Sequence, residues 1–180
     1  YDGGTSLADD TLNLGLTEKV SGDALTVAAS NRSYANRNVG AGDKVYTLAG
    51  LALSGADAGN YFLAGGSSQT FDNGEITPKA VTLSLGNPTT PVTRTYSGGL
   101  DFAANASELT DLSTGLVSGD LVTAATIRYN TKNVGTGKTI VPLAATIADG
   151  NGGANYTVTY VGNTASAITR LAEVQWTGAA

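Results

Sequence analysis

Tyr34 to Gly42 reads YANRNVGAG, and Tyr129 to Gly137 reads YNTKNVGTG. Both stretches run from a tyrosine through a polar link to Asn-Val-Gly-x-Gly, 95 residues apart. Each stands between two strand-like runs, 24–30 and 44–53 in the first case, 121–129 and 138–147 in the second. Glycine accepts positive φ at no steric cost, so Gly40-Ala41-Gly42 and Gly135-Thr136-Gly137 read as hairpin turns. The same strand–turn–strand piece is used twice.

Working outward, four more landmarks recur in the same order. Tyr1-Asp2-Gly3-Gly4 returns as Tyr96-Ser97-Gly98-Gly99, and Val20-Ser21-Gly22-Asp23 as Val117-Ser118-Gly119-Asp120. Asn60-Tyr61 returns as Asn155-Tyr156, and Ile76-Thr77 as Ile168-Thr169. The chain is therefore two diverged copies of a unit of about 90–95 residues, the size of a small domain. Within each copy the hydrophobic period is two: Leu12, Leu14, Leu16; Val81, Leu83, Leu85; Tyr156, Val158, Tyr160. That is the pattern of half-buried strands. Asn151-Gly152-Gly153 supplies another turn. Helix candidates are short, near 103–110 and 55–59. The expected fold is all-β, with two tandem small β-sandwich-like domains in an elongated arrangement. A β-grasp-like sheet is the alternative.

The boundaries are out of phase with the repeat. The second copy has a strand, Ala80 to Leu85, and a link through Asn87-Pro88 and Pro91 before its Tyr96 motif, whereas the first copy begins at Tyr1. The expected division is 1–78 for a first repeat lacking its opening strand and 79–170 for the second. Residues 171–180 then read as the opening strand of a following repeat. With Tyr1 at its start and no methionine, the chain reads as an internal segment.

Composition fits this picture. Charged residues make up 14% against 41% hydrophobic, and 24 glycines are present. This mix favours short strands and many turns over helices. A net charge of −5 and ten scattered Lys and Arg residues provide no basic stripe for nucleic acid. There is no cysteine, hence no disulfide, and no apolar run near the ~20 residues a membrane helix needs.

The YDGG opening, V-S-G-D, Y-x-x-x-N-V-G-x-G, L-S-G-A-D-A-G-N-Y and the I-T-P-K exit resemble the YDG-type repeat domains of large secreted bacterial adhesins. These include filamentous-haemagglutinin-like proteins exported by two-partner secretion. The match is strongest over Leu53 to Tyr61 and Ile76 to Lys79. The second copy departs at Ser97, at Asp149 to Gly153 and at Arg170. The resemblance implies a secreted, cell-surface repeat array acting as a stalk in cell adhesion or biofilm formation. It does not imply that these units hold the ligand.

Several motifs invite chemistry. Gly135-Thr136-Gly137-Lys138-Thr139 looks like the end of a phosphate loop, but Lys132 stands where its first glycine belongs. Histidine is absent, which removes histidine-based triads. Two-carboxylate chemistry through Asp9, Asp10, Asp57 or Asp120 has no fixed spacing behind it. No enzyme is expected, and no cofactor. For calcium, the candidates are Asp57 and Asn60 in one loop and Asp149 and Asn151 in another, both oxygen-bearing and glycine-rich. Neither follows the D-x-[DN]-x-[DN]-G series, and the turn reading leads. Asn31, Asn105 and Asn155 begin N-x-[ST] sequons for glycosylation. The paired landmarks Tyr1 and Tyr96, Tyr34 and Tyr129, and Asn60-Tyr61 and Asn155-Tyr156 read as structural. Core-packed tyrosine rings with hydroxyls bonded to backbone would explain their recurrence.

Three functions follow from different classes. A structural spacer has neighbouring repeats of its own chain as partners. A carbohydrate-binding module would meet surface polysaccharide or host glycan through an aromatic patch present in both copies. A strand-exchange unit would lend Leu171–Trp176 to a neighbouring molecule. Neither nucleic acid nor membrane is an expected partner.

Overall fold

The computed structural model describes residues 1–7, 14–86, 91–174 and 178. Asp9, Asp10, Leu12, Asn87-Pro88 and Trp176 lie outside the described residues. The fold is all-β, and the chain divides into two compact units, Tyr1–Pro78 and Lys79–Ala180. No helix among the described residues is long and apolar enough to cross a membrane.

The second unit is the fuller one. It contains β6 (Lys79–Ser84), β7 (Thr93–Thr95), β8 (Asp101–Ala103), α1 (Ala106–Leu112), β9 (Leu121–Tyr129), β10 (Gly135–Ala148), β11 (Tyr156–Val161) and β12 (Asn163–Thr169). A five-stranded sheet runs in the order β7-β12-β10-β9-β8, antiparallel except where β7 joins β12 in parallel. The other layer is the parallel pair β6–β11 together with α1, which contacts both β9 and β6. Alternation along β6 places Val81, Leu83 and Leu85 inside. Facing residues of the large sheet, including Ile127, Tyr129, Ile140 and Ile168, and Leu112 from α1 complete the core. On β9 the buried phase slips between Val122 and Ala125, because a bulge there sets Thr123 against no partner.

α1 begins where the sequence provides a capping box. The Asn105 side chain accepts from Glu108 N at 3.0 Å, and Glu108 Oε2 accepts from Asn105 N at 2.8 Å. The same Glu108 oxygen pairs with Arg94 of β7, whose guanidinium lies 4.5 Å from the Phe102 ring centroid.

The first unit repeats this plan in part. It contains β1 (Thr26–Ala28), β2 (Asn31–Tyr34), β3 (Gly40–Ala49), β4 (Ala52–Ser54) and β5 (Ser68–Ile76), with a 3-10 turn at Ala58–Asn60. β2-β3-β5 form an antiparallel sheet, and β1 pairs with β4. Thr5 to Leu7 lies along β2, through the Ser6–Ser33 bridge and Tyr34 N to Thr5 O at 2.7 Å. In the second unit Asp101 pairs with Arg128, and Tyr129 N donates to Leu100 O at 3.0 Å. These are the same contacts 95 residues on. Where β9 and β10 are long and continuous, the first unit breaks each in two, at Ala29-Ser30 and at Gly50-Leu51.

The structure corrects the reading of the two Gly-x-Gly stretches as turns. Gly40–Gly42 and Gly135–Gly137 lie inside β3 and β10, at register shifts against β5 and β12. The chain reverses earlier, across 35–39 and 130–134. Gly42 at φ 73° and Gly137 at φ 65° supply the left-handed residue of a bulge within the ladder. The element before the Tyr96 motif is also larger than the single strand expected, since both β6 and β7 precede it. The segments 14–16 and 171–174 carry no strand.

Candidate functional site

The recurring landmarks meet in space. In the second unit the Val117-Ser118-Gly119-Asp120 turn faces Asn155-Tyr156. The Tyr156 hydroxyl donates to Asp120 Oδ2 at 2.7 Å and accepts from Val117 N at 2.8 Å. In the first unit Tyr61 donates to Asp23 Oδ2 at 2.6 Å and accepts from Val20 N at 3.0 Å. One phenol thus clips the same turn to the same strand start in both copies. Asp120 and Tyr156 are buried, whereas Asp23 and Tyr61 are half-buried. Donation to Asp23 raises the Tyr61 phenol above its ordinary pKa.

Tyr34 and Tyr129 do a second shared job. Tyr34 OH donates to Glu75 O at 2.7 Å, and Tyr129 OH reaches Ala167 O at 3.0 Å and Val92 O at 3.3 Å. Each tyrosine ties its strand to the last strand of its sheet. Burial raises the Tyr129 pKa, with nearby Arg94 opposing the shift. Tyr1 and Tyr96 continue the pattern on the backbone: the Tyr1 amino group meets Thr77 O at 2.6 Å, and Tyr96 N meets Thr169 O at 2.9 Å.

Beside these tyrosines each unit has a cleft. In the first it is about 610 Å³, lined by Tyr1, Asp2, Tyr34, Tyr46 and Glu75 among others. Tyr46 is in the core, stacked on Phe71 at 5.1 Å and edge-on to Tyr34 at 6.1 Å. Gly74 permits this packing, since a Cβ there would stand 2.6 Å from Tyr34 Cε1 and 2.9 Å from Tyr46 Cδ1. The equivalent cleft of the second unit is about 320 Å³ and contains Arg94 of β7. Its lining differs: Ser97 stands for Asp2, and Asp101 for Ser6. Asp101 receives two bonds from Arg128, at 2.6 and 2.7 Å, which lower its pKa.

In both candidate calcium loops the carboxylate accepts from backbone N–H groups. Asp57 Oδ2 accepts from Ala24 N at 2.9 Å, and Asn60 is exposed, with its N–H on Asp57 O at 3.0 Å. Asp149 is fully buried. Its Oδ1 accepts from Asn151 N and Gly153 N at 2.8 and 2.9 Å, and its Oδ2 from Asn155 N at 3.1 Å. Burial alone would raise this carboxyl's pKa, but the Gly153, Asn151 and Asn155 N–H groups outweigh it and hold it below the ordinary value. Among the described residues no three His, Cys, Asp or Glu side chains cluster to hold a metal ion. The sequon residues are used unequally. Asn31 is exposed at the start of β2, Asn105 caps α1, and Asn155 is buried with its amide on Asp149 O and its carbonyl on Asn151. Gly135 to Thr139 sits within β10, where a phosphate loop would lead into a helix.

Sequence reading missed Glu108 and Arg94, which link β7 to α1. The signal was present as N-A-S-E, an Asn followed three residues later by Glu. Tyr156→Phe removes the clip in the buried context and is expected to destabilise the second unit by about 2–3 kcal/mol. Tyr61→Phe is expected to cost less, because its turn is open to water. Urea denaturation followed by circular dichroism checks both.

No curated protein and no solved structure matches the chain. The model of the YDG domain family matches it twice, over residues 1–70 and 77–167. The repeated landmarks, their shared hydrogen bonds and these two matches agree: the chain belongs to the YDG domain family.

Proposed function

We propose that this chain is a stalk segment of a secreted bacterial surface adhesin, a non-catalytic spacer supporting attachment or biofilm formation. The observation that supports this reading is what the repeated residues do. Tyr61 and Tyr156, Tyr34 and Tyr129, and Tyr1 and Tyr96 all join one part of the fold to another. No reactive cluster recurs with them among the described residues. An array selected for length keeps its turns and core and lets its surface drift, as the two cleft linings have drifted.

The test replaces both repeats, within the full-length secreted protein, by an unrelated folded spacer of equal length. Adhesion to the parent's natural surface is expected to persist, and deletion without replacement to reduce it. Loss of adhesion despite a matched spacer overturns the reading. Small-angle X-ray scattering of the chain is expected to be unchanged by added calcium.

Glycan binding is the second reading, favoured by the tyrosine- and carboxylate-lined cleft of the first unit. It predicts that Tyr34→Ala abolishes retention of the chain on an immobilised polysaccharide.

A further inference from the structure

We propose that the cleft of the second unit binds one carboxylated monosaccharide, a sugar ring of the uronate type. The cleft lies wholly within that unit, among β7, the loop at 96–100, β8 and the end of β9. Arg94, Ser97, Gly99, Phe102, Tyr129 and Lys132 are among its lining residues. At about 320 Å³ it has room for one sugar ring and not for a chain of them.

The charge in this cleft is unbalanced toward the positive. Asp101 is already neutralised by its two bonds from Arg128, so it presents no free negative charge to a ligand. Glu108 occupies only Nη2 of Arg94, whose side chain remains 29% exposed and whose Nε is buried without an acceptor. Lys132 is exposed, and its ammonium has no hydrogen-bond or ion-pair partner among the described residues. A partly enclosed cation attracts an anion more strongly than one in open water. The site thus has one uncompensated charge, which suits a single carboxylate.

The lip of the cleft is open for the same reason that the two copies differ. In the first unit Asp2 Oδ1 accepts from Gly4 N at 2.9 Å, which uses that donor and sets a carboxylate at the rim. Ser97 replaces Asp2 in the second unit, and Gly99 N, the counterpart of Gly4 N, has no acceptor among the described residues. The Ser97 hydroxyl and the Gly99 N–H are therefore free to meet ligand oxygens beside Lys132. Phe102 and Ile168 add apolar wall against which the carbon-bound hydrogens of a sugar ring can rest. The first cleft offers the opposite chemistry: Asp2 and Glu75 line it, and no Lys or Arg does among the described residues. The proposal stands independently of the stalk reading.

Nuclear magnetic resonance of the isotope-labelled chain at low ionic strength tests this. Methyl glucuronoside is expected to shift the backbone amide signals of Ser97 to Gly99, Phe102 and Lys132. Methyl glucoside, the same ring without the carboxylate, and acetate, the carboxylate without the ring, are expected to shift them far less. Lys132→Ala is expected to weaken glucuronoside binding by about tenfold. Ser97→Asp, which gives the lip the first unit's residue, is expected to abolish it. Both residues are exposed, so circular dichroism should be unchanged. Arg94 is left intact because it ties β7 to α1. No shift with the glucuronoside, equal shifts with glucoside or acetate, equal shifts around the first cleft, or full binding by Lys132→Ala overturns the proposal. Any of these leaves the stalk reading standing, since that reading is tested by adhesion of the full-length protein.

Discussion

Asp149→Ala is expected to lower the stability of the second unit by about 3–5 kcal/mol, the largest loss from any single polar substitution here. The carboxylate is fully buried and accepts from three backbone N–H groups that close the 149–155 loop. Each buried donor stripped of its acceptor costs about 1–3 kcal/mol, and partial relaxation keeps the sum below the simple total. The loop also places Asn155 and hence Tyr156, so the phenol clip loosens with it. The pH dependence follows from the depressed carboxyl pKa. A carboxyl whose folded pKa lies below its unfolded value stabilises fully above the unfolded pKa, about 4, and loses that contribution as pH falls through the folded one. Stability should therefore be level above about pH 5 and decline on acidification. Asp149→Asn, which cannot ionise, should be weaker at neutral pH and show a smaller acid decline. Guanidinium unfolding at a series of pH values measures both effects.

Leu83→Ala is the second large effect, expected to cost about 2–4 kcal/mol. Leu83 is fully buried near the end of β6, between Val81 within the strand and Leu85 just beyond it, both buried. Truncation removes the isopropyl group, one methine and two methyls, and leaves a cavity that the sheet behind it cannot fill without moving its backbone. Thr82→Ala, one residue away on the exposed face, is the control and should change stability by less than about 0.5 kcal/mol. Equal losses at the two positions would mean that β6 does not present one face to a core.

The period-two alternation made β6, β9, β10 and β11 legible because their buried faces pack against a second layer. β2 and β5 were not legible. Asn31-Arg32-Ser33-Tyr34 is polar, and Ser68 to Ile76 includes Asp72, Asn73, Gly74 and Glu75. These strands exist through ladder bonds to β3, which leave no hydrophobic signature. The Gly-x-Gly stretches misled for a related reason. A glycine with positive φ serves a hairpin and a bulge equally well, and only the partner strand distinguishes them. The tyrosine landmarks were readable as a repeated set, but their partners were not. That Tyr61 and Tyr156 each grip the V-S-G-D turn depends on bringing together residues about 40 apart, which no local pattern encodes.

The chain comprises two units of one design, each held by its own phenol clip. Hydrogen-exchange mass spectrometry of the unaltered chain and of Tyr156→Phe tests it most directly. Strong protection is expected in β6, β9 and β10, weak protection across 61–67, and a loss in Tyr156→Phe confined to residues beyond Lys79. Equal deprotection of β2, β3 and β5 by that substitution would contradict it, because the chain would then unfold as one cooperative body.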